Sequence, residues 1–351
     1  MSHHGLSLRG NSSMHSPTRS RQHESLSALA RVTRLQKVLR LTSLEKMELF
    51  IALAGHNGAI ARVIEDLDIS LPSRTGYPAL VLRELLRLPR NIETLTLHLP
   101  STSPPTILNG LLFPRLTVLT TNLPHHCLVS FLTAHPGIVS LTVQACGARH
   151  TCPLRDLNLG RMSQLQCPAR CLAGIAHGHV TSATVNLTCM TSMAAVAINA
   201  LSTSPLWTLT IDFFADDYDI LTRIAGAAPN LRKLKLLEKP RAQRRFHHTR
   251  RPWNDVHQWH LTLLRLPYLE ELLLRTHLTV TGPRRSEDTV VSAWANGALS
   301  RTTRHPNLFH IALLQGTGVA AGQRLSHWFK TGSAWERISS MVVGSTHSFV
   351  V

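Results

Sequence analysis

The sequence predicts an α/β solenoid, in which short parallel strands stack side by side and helices cover one face of the sheet. The main observation is a phrase of apolar residues at positions i, i+3 and i+5, as in Leu231, Leu234 and Leu236. Its last two members are separated by one residue, and this spacing puts both side chains on the same face of a strand. The other two observations are the recurrence of the phrase and the helical pattern between its copies.

Eleven candidate copies of the phrase are separated by intervals of 18 to 39 residues. The copies are Ile64/Leu67/Ile69, Ile92/Leu95/Leu97, Leu116/Leu119/Thr121, Ile138/Leu141/Val143, Met162/Leu165/Cys167, Val180/Ala183/Val185, Leu206/Leu209/Ile211, Leu231/Leu234/Leu236, Leu269/Leu272/Leu274, Leu308/Ile311/Leu313 and Ile338/Met341/Val343. Repetition in this range is typical of solenoids, where each unit buries its apolar face against its neighbours. We therefore expect a curved parallel sheet inside and helices outside.

The segments between the strands have helical periodicity. Residues 126–134 bring Leu128, Phe131 and Leu132 onto one stripe of a helix, and residues 216–228 contain a similar stripe. Several of these segments end at a proline, which disfavours helical backbone in the residue before it. One repeat is therefore predicted to be helix, turn and strand.

The net charge of +17 is concentrated in two segments. Residues 1–40 hold seven basic residues and one acidic residue, and residues 239–252 hold six basic residues and no acidic one. Residues 1–24 lack apolar periodicity and are predicted to be a disordered basic tail, while residues 238–252 are predicted to be a basic loop. Because clustered cations attract phosphates, nucleic-acid binding through the loop and tail is the alternative function.

The sequence lacks a run of roughly 20 apolar residues and a secretory signal, so we expect no membrane partner. The predicted location is the cytoplasm, the nucleus or both, and the Arg- and Ser-rich tail leaves mitochondrial import as the alternative. Cysteines in these compartments are kept reduced. The six cysteines are Cys127, Cys146, Cys152, Cys167, Cys171 and Cys189.

Two groups of residues have the chemistry of metal ligands but not the usual spacing. One is Cys167 and Cys171 with His177 and His179, and the other is His247, His248, His257 and His260 with Asp255. Structural zinc sites are commonly built from paired Cys or Cys/His knuckles, and neither group has that form. Cys171 also lies on an apolar helical stripe, where cysteine acts as a small hydrophobic residue. We therefore predict no metal and no cofactor.

A group of carboxylates follows the strand at Leu209/Ile211, namely Asp212, Asp216, Asp217 and Asp219. Paired carboxylates can act as general acid and base, but carboxylates near a helix start commonly cap free N–H groups. No nucleophile or glycine-rich phosphate loop accompanies this group, so the prediction is that the protein is not an enzyme.

The run Ser25 to Arg40, followed by recurring Pro-x-Leu-x-x-Leu-x-Leu units, resembles the F-box and leucine-rich-repeat-like proteins of mushroom-forming (basidiomycete-type) fungi. In that family a three-helix F-box docks on the adaptor of a cullin-RING ubiquitin ligase, and the repeats recruit the substrate. Ser27 to Arg34 is similar to the second half of the box, but residues 1–24 lack its Leu-Pro-x-Glu-Leu first helix. The resemblance implies a truncated F-box-like helical segment at 25–50 and a leucine-rich-repeat-like solenoid at 51–351.

The predicted partner site is the inner, concave face of the sheet, where residues alternating with the apolar triplets point. These residues are Thr94, Thr96, Thr142, Thr210, Asp212, Lys233, Lys235, Leu273, Arg275 and Ala312. Solenoids present extended surfaces of this kind to partners, and the mixture of threonine, lysine and apolar residues suits a protein ligand. The predicted function is a non-catalytic protein-interaction module, an F-box-like substrate receptor or a degenerate relative of one.

Overall fold

The computed structural model describes residues 37–341 except 73–75, 77, 101–103, 145, 149–150, 177, 188–192, 241–250, 282–284, 298–302, 317–323 and 333. The predicted tail at 1–24, residues 25–36 of the F-box-like segment and most of the basic loop therefore lie outside the described residues. Within the described part, no helix is long and apolar enough to cross a membrane.

The described strands form one sheet of thirteen strands in chain order. They are β1 (Val38–Leu41), β2 (Asp66–Ser70), β3 (Thr94–His98), β4 (Val118–Thr121), β5 (Ser140–Val143), β6 (Gln164–Pro168), β7 (Ser182–Asn186), β8 (Thr208–Phe214), β9 (Lys233–Lys239), β10 (Glu271–Thr276), β11 (His310–Gln315), β12 (Arg324–Thr331) and β13 (Ala334–Met341). Strands β1 to β11 are parallel, and β12 and β13 are antiparallel to their neighbours. The protein has an α/β architecture compatible with a solenoid.

The helices lie between consecutive parallel strands. They are α1 (Leu44–His56), α2 (Gly58–Val63), α3 (Ala79–Arg87), α4 (Val129–Ala134), α5 (Ala169–Ile175), α6 (Met193–Ala200), α7 (Ile220–Ala227), α8 (Val256–Leu264) and α9 (Glu287–Asn296), with short 3₁₀ turns at His125–Cys127 and Pro252–Asn254. Neighbouring helices from α5 to α9 pack on one another. Side chains cap several helix starts, as where the Asp255 carboxylate accepts the Gln258 N–H at 3.0 Å.

The first ten apolar triplets are confirmed as the core. Every residue in them is buried, and together with the buried faces of the helices they form one continuous apolar cluster. Their strands pair in register, so that Leu67 stands beside Leu95 and Leu95 beside Leu119. The eleventh triplet is wrong as a repeat, because Ile338 is 60% exposed and lies in β13 of an antiparallel hairpin.

The structure corrects the N-terminal boundary of the repeats. The segment predicted to be helical over 25–50 is not helical throughout, because Val38 to Leu41 form β1, which pairs with β2. Leu39 and Leu41 alternate with exposed residues and are buried in the common core. The repeating sheet therefore begins before residue 51, and residues 25–36 lie outside the described part.

Polar side chains at strand ends connect neighbouring repeats. The Asn122 side chain, just after β4, accepts the Leu99 N–H at 2.9 Å and donates to the Leu99 carbonyl at 2.7 Å. The Asp212 carboxylate in β8 accepts the Leu187 N–H at 3.1 Å, just after β7. Backbone groups that have left one strand are thus satisfied by the next repeat.

Candidate functional site

The open face of the sheet is defined here as the face whose residues alternate with the buried triplets. Strand register arranges these residues in rows across the sheet. One row is Thr96, Thr120, Thr142, Gln166, Thr184, Thr210, Lys235 and Leu273. Its character changes at β9, where uncharged polar side chains give way to a cation and a leucine.

Eight of the ten predicted partner residues are at least partly exposed on this face. The other two are not, and their prediction as exposed residues is wrong. Asp212 is 2% exposed because it bonds to the backbone of the previous repeat and to Lys239. Ala312 is fully buried because its methyl group lies between the larger Leu273 and His327 on adjacent strands. Partner binding by the remaining eight stays a prediction.

A row of large side chains stands where strands β8 to β11 begin. Backbone bonds align it: Arg232 N–H donates to the Trp207 carbonyl at 2.9 Å, Glu270 N–H to Arg232 at 2.8 Å, and Phe309 N–H to Glu270 at 3.1 Å. Trp207 is 54% exposed and Phe309 43% exposed, and Tyr268 in the adjoining turn is 53% exposed. We call Trp207, Arg232, Lys233, Tyr268 and Phe309 the aromatic–basic patch.

Charges in the aromatic–basic patch are paired across strands. The Arg232 guanidinium lies 5.7 Å from the centre of the Trp207 ring and 3.7 Å from the Glu270 carboxylate. The Lys233 ammonium lies 2.8 Å from the Glu271 carboxylate. The patch is therefore a mixed surface of aromatic rings and ion pairs rather than a uniformly positive one.

Next to the patch, His310, His327 and Phe329 stack on the open face. The His310 and Phe329 ring centres are 4.5 Å apart, and His310 Nε2 lies 3.0 Å from His327 Nδ1. Burial lowers the pKa of His310, and the neighbouring His327 lowers it further. The stacked rings continue the open face from β11 to β12.

Sequence reasoning missed the aromatic–basic patch because it considered only residues inside the strands. The signal is present in the repeat phrase itself. Trp207, Arg232, Glu270 and Phe309 each follow directly after the first apolar residue of a triplet. Aligning that position across the repeats identifies the row.

The basic loop is partly neutralised at its two ends. Lys239 lies 3.2 Å from the Asp212 carboxylate, and Arg251 lies 2.9 Å from the Glu238 carboxylate. Glu238, which is 2% exposed, also accepts the Thr276 hydroxyl at 2.7 Å and the His277 N–H at 2.9 Å. Two of the six cations therefore hold the loop to the sheet, and the other four lie outside the described residues.

Carboxylates of the aspartate group after β8 form hydrogen bonds that stabilise the local structure. The Asp217 carboxylate accepts the Phe214 N–H at 2.8 Å, and the Asp219 carboxylate accepts from Arg223 at 2.6 Å. Helix α7 begins after Asp219, so Asp216 and Asp217 lie in the preceding turn rather than at the helix start.

In the second group of metal candidates His257 is exposed and His260 is buried, so these two do not face one site.

A cluster of metal-binding residue types does form, from residues that sequence spacing does not connect. Single ligand atoms of His125, Cys146, Cys152 and Cys171 all lie within 4.8 Å of one another. His125 Nδ1 is 3.2 Å from Cys152 Sγ. The hydrogen bond from the Cys171 thiol, aided by His125, lowers the pKa of Cys152 to about 4. The same bond and burial raise the pKa of Cys171.

The partners that the sequence suggested for Cys171 are not those in the structure. Cys167 is buried in β6 within the core, His179 is exposed, and His177 lies outside the described residues. Cys171 is in the apolar core as predicted, but its sulfur lies beside Cys146 and Cys152.

Comparison with known protein-family models gives no match for this chain, and comparison with curated protein sequences gives none either.

Proposed function

We propose that the protein is a non-catalytic interaction module that binds a protein partner on the open face, centred on the aromatic–basic patch. The observation that carries the proposal is the exposure of Trp207 beside Arg232, with exposed Phe309 in the same row and exposed Tyr268 in the turn before β10. Tryptophan, tyrosine and arginine are the residues that contribute most to protein–protein interfaces. Trp207, Arg232 and Phe309 form an aligned row where their strands begin, and such a row is a preorganised binding surface.

Nucleic acid is the less favoured ligand for this patch. Aromatic rings with cations can stack bases and bind phosphates. Here, however, Glu270 and Glu271 lie beside Arg232 and Lys233, and these carboxylates repel a phosphate backbone. Mixed charges of this kind complement a protein surface with charges of both signs.

Proximity labelling in cells tests the proposal. The variant is Trp207→Ala with Tyr268→Ala, and the matched control is Leu80→Ala with Val196→Ala, two exposed apolar residues on helices. We expect some proteins labelled by wild type and control to be lost with the patch variant, at unchanged melting temperature. Identical labelled sets for all three chains would contradict a partner site at the patch.

Fluorescence anisotropy with single-stranded RNA separates the nucleic-acid alternative. Tight binding that weakens steeply with salt would favour it, because each phosphate contact releases counterions. Weak binding is expected, since two of the loop cations are held by Asp212 and Glu238.

The ligase role is a finer proposal, and its support is the resemblance of Ser25 to Arg40. The truncated box lacks a first helix, and Val38 to Arg40 are part of the sheet, so we propose that adaptor docking is weak or absent in this chain. Grafting a Leu-Pro-x-Glu-Leu helix before Ser25 should strengthen binding to purified adaptor in a pull-down. Tight binding by a chain that lacks residues 1–36 would contradict docking through this segment.

A further inference from the structure

The strongest unassigned cluster brings together three cysteines and a histidine from consecutive repeats. His125 lies in the 3₁₀ turn after β4, Cys146 in the loop after β5, and Cys171 in α5 after β6. Cys152 comes from the long connection between β5 and β6. Adjacent parallel strands end at one edge of the sheet, so these four side chains converge although 46 residues separate the first from the last.

We propose that His125, Cys146, Cys152 and Cys171 bind one zinc ion as a structural site. Zinc takes four ligands in tetrahedral geometry, and three cysteines with one histidine are among its established structural ligand sets. All four ligands come from the protein, which leaves no open position for water or substrate. The site therefore stabilises the fold and does not perform catalysis.

The distances agree with this geometry. Zinc–sulfur bonds of about 2.3 Å and zinc–nitrogen bonds of about 2.0 Å place tetrahedral ligands about 3.6 to 3.8 Å apart. In the structure the ligand atoms lie within 4.8 Å of one another, and the His125–Cys152 pair lies at 3.2 Å. The longest separations would have to shorten by at most about 1 Å to reach a tetrahedron.

At two glycines near the cluster, the absence of a side chain lets neighbouring backbone segments lie close together. Gly147 follows Cys146 and has a φ of +71°, and a Cβ there would lie 3.1 Å from Pro124 Cβ. Pro124 directly precedes His125, whose N–H donates to the Cys146 carbonyl at 3.2 Å. A side chain at Gly147 would push the Cys146 loop away from His125.

Gly174 has the corresponding role for the other two ligands. It lies three residues after Cys171 in α5, and a Cβ there would lie 3.1 Å from both Cα and Cβ of Arg155. Arg155 lies three residues after Cys152 and bonds back to its carbonyl at 3.1 Å. The missing side chain thus lets the Cys152 loop lie against the helix that carries Cys171.

The location of the cluster indicates which part of the fold a metal ion would stabilise. Within the described residues, the connection from Val143 to Gln164 contains turns but no helix, whereas α4 and α5 cover the neighbouring repeats. A zinc ion would cross-link this irregular connection to both neighbours. Metal binding of this kind contributes directly to folding free energy.

A set of unrelated buried thiols and a disulfide are the competing explanations. Cys127 and Cys167 are also buried, but neither belongs to the cluster, so burial alone does not explain why three sulfurs meet one imidazole. A disulfide would use only two of the three sulfurs. These explanations become outcomes of the experiment.

The test is the metal content of the full chain, purified under reducing conditions with zinc in the growth medium. We expect about one zinc ion per chain by elemental mass spectrometry, and a tetrahedral thiolate spectrum after replacement of zinc by cobalt(II). Cys146→Ser and Cys171→Ser should each lose most of the zinc. Cys127→Ser and Cys167→Ser, which alter buried cysteines outside the cluster, should retain it.

Two further measurements keep the proposal falsifiable if the cysteine variants fold poorly. His125→Cys supplies a fourth thiolate and should retain zinc, whereas His125→Ala should lose it. A strong chelator should lower the melting temperature of wild type but not of Cys171→Ser. Three results would overturn the assignment. They are a reduced wild type that takes up no zinc in a titration, an equal zinc content in wild type and Cys171→Ser, and a Cys152–Cys171 disulfide in the purified chain.

Discussion

The two halves of the sheet differ in how they hold the ends of their strands. From β2 to β7, neutral side chains such as Thr121 and Asn122 satisfy backbone groups at strand ends. From β8 to β13 buried carboxylates take that role. Asp212, Glu238 and Glu287 are each almost fully buried and accept bonds from several donors.

Two of these three carboxylates lie in the repeats with the longest connections. The longest intervals between triplets run from Leu231 to Leu269 and from Leu269 to Leu308, and these repeats contain Glu238 and Glu287. Glu238 binds Arg251 at the far end of the basic loop. A buried carboxylate with charged or polar donors thus fixes a long connection where a regular repeat needs only apolar packing.

Glu287 has the same role at the C-terminal end of the sheet. Its carboxylate accepts the Trp328 indole N–H at 2.7 Å, the Gln315 amide at 3.2 Å and the Ser326 hydroxyl. These bonds join the first turn of α9 to β11 and β12. They hold the antiparallel hairpin that ends the repeats, where the triplet pattern no longer applies.

The largest effect should come from charges placed in the shared apolar core. Leu272→Asp and Leu141→Asp each bury an unpaired carboxylate, and each should lower the free energy of unfolding by several kcal/mol. The matched controls are Leu273→Asp and Thr142→Asp, one residue further along, on the open face. Chemical denaturation is the measurement, and equal stability of Leu272→Asp and Leu273→Asp would refute the alternation.

A smaller loss of stability, in the C-terminal half, is expected when a buried carboxylate is removed. Glu238→Ala removes the buried carboxylate that accepts bonds from Arg251, Thr276 and His277, and it should lower stability by about 3 to 5 kcal/mol. The control Glu93→Ala removes an exposed ion pair with Arg115 in the other half, and about 0 to 1 kcal/mol is expected. Thermal melting of both variants decides whether the halves differ as described.

The core of this fold is predictable from sequence because the triplet signal is local. Leu234, for example, is identified as a core residue by neighbours within five positions. Strand β1 was missed because Val38 to Leu41 follow a helix-like run and lack a leading apolar residue at the usual spacing. The terminal hairpin was missed because Ile338 imitates the phrase in an antiparallel strand.

The clusters were beyond sequence reasoning for a different reason. His125, Cys146 and Cys171 meet only because three strand ends are in register, and register is a property of the sheet rather than of any segment. The same holds for Asp212, which alternation places on the open face but whose bonds to Leu187 and Lys239 bury it. Patterns predict which residues share a face, whereas contacts between repeats require the assembled sheet.

The stability of both halves should depend on pH, because each half contains a His-Pro pair with a buried imidazole. His135 Nε2 accepts the Phe113 N–H at 2.9 Å, and His305 Nδ1 accepts the Leu308 N–H at 3.0 Å. Burial lowers the pKa of both residues. As the pH falls through the usual histidine pKa of about 6.5, the unfolded chain binds protons before the folded one, so stability decreases.

The measurement is the melting temperature at about pH 8 and at about pH 5.5, on either side of the usual histidine pKa. Wild type should melt lower at the acidic pH. His135→Gln and His305→Gln should each reduce this difference, whereas the control His179→Gln alters an exposed residue and should leave it unchanged. An unchanged difference in both buried-site variants would contradict the assignment.

The smallest effect on stability, and the largest expected effect on binding, concerns charges on the open face. Lys233→Glu with Lys235→Glu breaks the exposed Lys233–Glu271 pair and reverses one charge in the aromatic–basic patch and a second charge two residues further along β9. Exposed ion pairs contribute about 0 to 1 kcal/mol, so the melting temperature should stay nearly constant. Both cations are lost, and the two new carboxylates add to the negative charge of Glu270 and Glu271. Capture of the partner should therefore be abolished.

A second charge variant determines which half of the open face binds. Thr96→Glu with Thr142→Glu introduces the same number of carboxylates into the threonine row of the N-terminal half. If the patch at β8 to β11 is the centre of the interface, this variant should label the same cellular proteins as wild type, while the lysine variant loses them. The reverse result would move the site to the threonine row, and the loss of the same proteins by both variants would indicate a partner that spans both halves.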